Sequence, residues 1–355
     1  MDRCGAGASD RKTGGAPRSI RRSPFALLWC VAAAAAFAAT HDAGRAAGSG
    51  ESSERMPLAQ KSLLLDAALA GDTVIAVGER GHVLLSDDGG RSWDQVVVPS
   101  RAMLTAVAFA DARRGCAVGH DAVILCTDDA GRSWSLVHEA PEDGRPLLDV
   151  RFLGSSVGLA VGAYGYLLRT EDGGRTWREE RLALVDTDED GSGGLADFHL
   201  NHIARSAEGR LYVAAEAGTI YRSDDEGRSW RTLPSPYEGS FFGALPLKND
   251  DLLLFGLRGH LYRSEDGGEA WSPIELPTDA LLSDGFLAPG GHVVITGLEG
   301  TLLVSRDGGR SFELLARPDR RGIWTGLALS DGSLLLVGEL GTELTRLNED
   351  GPPSD

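Results

Sequence analysis

Basic residues are in short supply: 35 Lys and Arg stand against 52 Asp and Glu, a formal net charge of −17. That balance excludes a nucleic-acid binder, which needs a cationic surplus to displace counterions from phosphate. It equally excludes docking on anionic lipid by charge alone, and its first consequence is solubility. Cysteine is scarce as well, four in 355 residues, with no Cys-x-x-Cys pair and no Cys/His spacing that would hold zinc. Helical periodicity is absent at useful length from residue 48 onward. The longest charge-free apolar run, residues 25–39, falls short of the ~20 residues a spanning helix needs.

That run has a recognisable setting. Arg18, Arg21 and Arg22 precede it, and small residues follow, with cleavage ends near Ala38 and Ala47. A basic n-region, an apolar h-region and a small-residue exit form a secretory signal, so export to a periplasm or equivalent space is expected, with an uncleaved anchor as the alternative. Removing residues 1–47 leaves 28 Lys and Arg against 49 Asp and Glu, a net charge near −21. Cys4 and Cys30 leave with the signal. Cys116 and Cys126 remain, ten residues apart, and an oxidising compartment would pair them.

What the chain does contain is repetition. SDDGGRSW at residues 86–93 returns as TDDAGRSW, TEDGGRTW, SDDEGRSW, SEDGGEAW and SRDGGRSF, ending at Trp134, Trp177, Trp230, Trp271 and Phe312. Successive aromatic ends lie 41, 43, 53, 41 and 41 residues apart, the period of propeller blades. Ahead of each octapeptide two apolar runs flank a tight turn, as in AVGERGHVLLS and LFGLRGHLYRS, and a seventh such hairpin follows at residues 335–346. The shared acid is Asp88, Asp129, Asp172, Asp225, Asp266 and Asp307. An Asp there accepts hydrogen bonds from turn amides, the next glycine supplies a backbone angle other residues resist, and the aromatic locks the outer strand. The expected fold is all-β: a seven-bladed β-propeller over residues 62–347, preceded by a linker and closing strand at 48–61 and followed by a tail at 348–355. Because the seventh blade lacks an octapeptide, residues 53–60 are expected to serve as its outer strand and remove an open sheet edge.

These octapeptides resemble the Asp-box (BNR) repeat. Combined with the A-V-G-x-x-G hairpins, they are similar to the photosystem II assembly and stability factors called Ycf48 or Hcf136, and look closest to exported relatives of that family in non-photosynthetic bacteria. The resemblance covers about residues 62–346. It implies a non-enzymatic propeller that helps membrane-protein complexes assemble, with a membrane-associated complex as partner and no cofactor. The arginine patch of that family is not matched residue by residue in this sequence.

Four groups of residues are candidates for function. The first is the face carrying the hairpin turns, with Glu79, Arg80, His120, Asp121, Tyr164, Glu216, Arg258, Glu299 and Glu339, where variable loops on a rigid scaffold suit partner binding. The second is a column of short polar residues along the inner strands, Asp66, Thr105, Asp149, Asn201, Gly243, Asp284 and Thr325, expected to ring the channel mouth and hold water, a cation or a partner's amine. The third is DTDEDGSGGLAD at residues 186–197, where Asp186, Asp188, Asp190 and Asp197 follow the spacing of a Ca²⁺ loop with Gly191 at the turn. Its position 8 is glycine and no helices flank it, so a solvated acidic insertion is the competing reading. The fourth is the pair Cys116 and Cys126. A sialidase-like glycosidase or carbohydrate-binding propeller is the other function to weigh, but the inner strands offer only Arg151 and Arg205 and no tyrosine nucleophile. A monomer is expected.

Overall fold

The computed structural model describes residues 51–185, 198–315 and 317–347. They build seven antiparallel sheets whose strands follow one another in chain order, six of four strands and one of three. Blade one comprises Leu64–Ala70, Thr73–Gly78, Val83–Ser86 and Asp94–Val96. The inner strands of blades two to seven are Leu104–Phe109, Leu147–Phe152, Leu200–Arg205, Phe241–Pro246, Leu282–Leu287 and Ile323–Ala328. Each second strand is buried along its whole length, as in Thr73–Gly78 and Leu252–Gly256. Neighbouring blades cover both of its faces, which is why these strands are continuous apolar runs in the sequence.

The core is accordingly a set of layers between blades. Ile75, Val77 and Leu85 of blade one meet Val107, Leu125 and Trp134 of blade two. Val118 and Ile124 of blade two meet Val150, Leu168 and Trp177 of blade three, and the pattern continues round the ring. Each hairpin turn is tied to the start of its own blade by one backbone bond, such as Glu79 N to Leu63 O at 3.1 Å and Glu339 N to Gly322 O at 3.1 Å. Gly78 permits that approach, since a Cβ there would lie 2.2 Å from Leu63 O.

Every inner strand carries a bulge after its first residue, where the register skips one position, as between Leu64 and Asp66. In blade two, Cys116 and Cys126 face one another across the second and third strands and form a disulfide with Cα atoms 4.1 Å apart. The bridge packs on Phe152 and Gly174 of blade three.

The ring seam departs from expectation. Blade seven has three strands, Ile323–Ala328, Leu334–Gly338 and Gly341–Thr345, and residues 53–60 do not supply a fourth. Instead Ser53 bonds reciprocally with Val98 beyond the outer strand of blade one, N to O at 2.8 Å and Val98 N to Ser53 Oγ at 2.9 Å. The chain then folds into a 3₁₀ turn at Ala59–Lys61 whose Ala59 is buried among Leu64, Leu84, Leu335 and Val337. Gln60 O lies so close to Gly341 that a Cβ there would stand 1.8 Å away. Pro57 supplies no amide donor to a ladder, and the segment closes the ring as a wedge between blades rather than as a strand.

Candidate functional site

The Asp boxes form as expected, each as a closed hydrogen-bonding unit. Asp88 Oδ1 accepts the amides of Arg91 and Ser92 at 3.0 and 2.9 Å, and its Oδ2 accepts the Ser92 hydroxyl at 2.6 Å. Ser86 Oγ donates to Asp88 Oδ1 and accepts Gly90 N, and the Trp93 indole donates to Gly90 O at 3.1 Å. The carboxylate bonds recur around Asp129, Asp172, Asp225 and Asp307, and the indole bond recurs at Trp134, Trp177 and Trp230 but not at Phe312, which has no donor. Around Asp266 it loses the side-chain hydroxyl, because Ala270 stands where the others have Ser or Thr. These carboxylates hold turns and have little left for a ligand.

The inner strands hold a different polar layer from the one expected. Thr105 and Asn201 occupy the bulge, so they fall one position out of the column. Aligned on the first buried residue of each strand, the column is Asp66, Ala106, Asp149, His202, Gly243, Asp284 and Thr325. His202 was missed for that reason. The signal was present in the sequence, since the initial Leu, Phe or Ile of each inner strand fixes the frame.

Every acid of the column points to the next blade. Asp66 Oδ2 accepts Val107 N at 2.7 Å, and Asp149 Oδ2 accepts Ile203 N at 2.8 Å. Asp284 Oδ2 accepts the Thr325 hydroxyl at 2.6 Å, and His202 Nδ1 accepts Ala244 N at 3.3 Å. The bulge residues add a second tier, in which Thr105, Asn201 and Ser283 donate to Leu147 O, Phe241 O and Ile323 O at 2.8 Å each. Burial pushes the Asp66 carboxyl well above the usual range, with the Asp149 and Asp284 charges adding to it against the Val107 and Ala67 amides. Burial raises Asp284 too, although His202 and the Thr325 hydroxyl pull the other way. The layer therefore joins blades. Among the described residues no three of His, Cys, Asp and Glu come together to hold a metal ion. Asp186, Asp188, Asp190 and Asp197 lie outside the described residues.

The hairpin turns gather on one face, as the blade order requires. Arg80, Asp121, Tyr164, Arg258 and Glu299 all sit at the second turn position with φ between 56 and 58°. Arg80, His120, Tyr164, Arg258, Glu299 and Glu339 are exposed, whereas Glu79, Asp121 and Glu216 are half-buried. Glu299 pairs with Arg320. Glu216 accepts His199 N at 3.1 Å and has the His199 ring within 3.4 Å. Arg80, Tyr164, Arg258 and Glu339 thus present exposed and chemically varied side chains on this face.

Comparisons with known proteins bear on this architecture. The family model described as photosynthesis system II assembly factor YCF48 matches residues 138–273, which span blades three to five. The structure described as YCF48 bound to D1 peptide superposes with a TM-score of 0.65 at 19% identity, over 85% of this chain and 96% of that one. YCF48 from Cyanidioschyzon merolae gives 0.64 at 17%, over 84% and 98%. The chain has the propeller fold of these structures, and its residues 138–273 match the Ycf48 family model. The fold is shared more widely, since the WD40 propeller domain of Doa1 superposes at 0.63 with 13% identity, over 84% of this chain and 97% of that one. No curated protein matches the chain at a significant level. The family model finds its match in the repeats of blades three to five.

Proposed function

We propose that this Ycf48-like propeller is a non-enzymatic, exported platform that binds a protein component of a membrane-associated complex and assists its assembly or stability. One observation carries the reading: the titratable groups of the central channel, where a propeller enzyme would place its chemistry, are bonded to the backbone and side chains of the adjacent blade. The varied turn face then remains for recognition. The neighbour described as bound to the D1 peptide supports a partner that is a polypeptide, and the Cys116–Cys126 bridge suits an oxidising compartment.

The test is crosslinking of the full chain in the membrane fraction, followed by identification of crosslinked peptides. Crosslinks should fall on the turn face, and charge reversal at Glu216 and Glu339 should release the partner, while a matched reversal at the box residues Asp128 and Glu171 leaves it bound. Release by the box pair alone would place binding on the opposite face, and recovery of a soluble enzyme's substrate complex in place of a membrane component would end the proposal.

A further inference from the structure

Blade three differs from every other blade at the second turn position. The equivalent residues are Arg80, Asp121, Ala217, Arg258, Glu299 and Leu340, whereas blade three presents an aromatic, Tyr164, with 51% of its surface open. Its ring meets His199 edge to face at 4.8 Å. His199 in turn touches Glu216, whose carboxylate keeps 21% of its side-chain surface exposed and has His199 as its sole ion-pair partner among the described residues. An exposed aromatic ring and a half-buried carboxylate thus both contact one histidine.

The strip continues into the next blade junction. Gly218 N, two residues after Glu216, donates to Gly239 O at 2.8 Å, which brings the loop carrying Tyr237 alongside. The half-buried Tyr237 lies against His260 at 4.2 Å with the rings tilted by 40°, and Glu238 beside it is exposed. From the blade-three turn to the loop entering blade five, two aromatic rings thus lie beside two carboxylates, with the exposed Arg258 of the blade-five turn beyond them. The same sector already shows the contact such a surface favours: the Arg145 guanidinium lies 3.9 Å over the Tyr166 ring.

We propose that this strip is a docking groove for an extended, arginine-bearing segment of a partner polypeptide. One guanidinium stacks on Tyr164 and pairs with Glu216, and the segment runs on towards Tyr237 and Glu238. The proposal deepens the protein-binding reading and rests on it. The occupant follows from charge and ring chemistry together. A guanidinium is planar, stays charged, and binds both an aromatic face and a carboxylate, whereas an acidic segment would meet Glu216 and Glu238 and be repelled.

Fluorescence anisotropy decides it, with the full chain titrated against a short labelled peptide alternating arginine with proline, which favours an extended backbone. The control is the same peptide with glutamate in place of arginine. The arginine peptide should bind and the glutamate peptide should not. Tyr164→Ala and Glu216→Gln should each weaken binding about three- to ten-fold, and binding should fall with added salt. Tyr164 is exposed, so its removal leaves folding intact, and circular dichroism of each variant confirms that. Affinity unchanged in both variants, equal binding of the two peptides, or no binding of the arginine peptide each overturns the groove. Membrane-fraction capture that persists in both variants would remove the groove while leaving the platform reading in place.

Discussion

Asp172 carries the argument at the scale of single residues. Partial burial would raise its carboxyl, but the Thr176 hydroxyl and amide and the Thr170 hydroxyl hold it at about 2. Asp88 and Asp307 are held lower still, chiefly by the hydroxyls of Ser92 and Ser311. A folded-state value below the unfolded value of about 3.9 contributes stability that is present above that pH and lost as pH falls towards the folded value. Six box carboxyls held low in this way should therefore make the propeller acid-labile below about pH 4, and Asp307→Asn should flatten the dependence of melting temperature on pH between about 4 and 2. An unaltered slope would show that the box carboxylate is not linked to folding. His82 runs the other way. It is buried at 1% exposure with neither ring nitrogen bonded among the described residues, and burial lowers its value. The unfolded chain then binds the proton more readily, so stability falls as pH drops through about 6.5. His82→Phe should remove that part of the slope, as chemical denaturation at pH 7 and pH 5.5 would reveal. The box was legible from sequence because all its partners lie within a few residues of the Asp. His82 was not, because its lack of partners depends on what the fold brings around it.

At the scale of strands and turns, the hairpins were readable because a second strand buried on both faces leaves an unbroken apolar run and its turn demands positive φ. The facing positions of Cys116 and Cys126 followed from counting outward from Asp121, and the register of the two strands agrees. Closing a loop of ten residues stabilises by about 2–3 kcal/mol in the chain-entropy account. Replacing both cysteines by alanine should lower the unfolding free energy by about that amount. Reductant should reproduce the change in the parent chain and leave the variant unmoved, and identical urea midpoints with and without reductant would contradict it. The inner strands were less legible. A bulge inserts one residue without altering composition, so Thr105 and Asn201 counted as column residues while Ala106 and His202 hold those places. Residues 53–60 misled for a related reason. An unpaired segment beside an incomplete blade suggests strand addition, yet Pro57 and the short turn at Ala59–Lys61 suit packing into the gap better than a ladder.

Across the whole ring, stability depends on seven junctions that are not built alike. Asp66 joins blades one and two, Thr105 joins two and three, and Asp149 joins three and four. Asn201 and His202 join four and five, and Ser283 and Asp284 join six and seven. Near the boxes, Arg169, Arg222 and Arg263 reach Glu226 O, Gly267 O and Gly308 O of the following blade. Arg263 thus ties blades five and six, where the column offers only Gly243. The seam between blades seven and one has none of these side-chain bonds along the channel among the described residues. It relies on the pair of Arg91 with Asp331, at 2.7 Å with Arg91 60% exposed, and such exposed pairs contribute roughly 0–1 kcal/mol. The rest of its hold is the apolar layer around Leu64, Leu335 and Val337, capped by Ala59. Because the wedge covers that layer, the seam is the place where the ring should open first. Deleting residues 51–60 should lower stability by about 2–4 kcal/mol through lost burial, and amide exchange should accelerate in Leu334–Gly338 and Gly341–Thr345 before the strands of blades three and four. Arg91→Ala should change the melting temperature far less than the deletion. If exchange in blade seven stays as slow after the deletion as before it, the wedge is an ornament on a ring that closes without it, and the layer beneath must hold the seam alone.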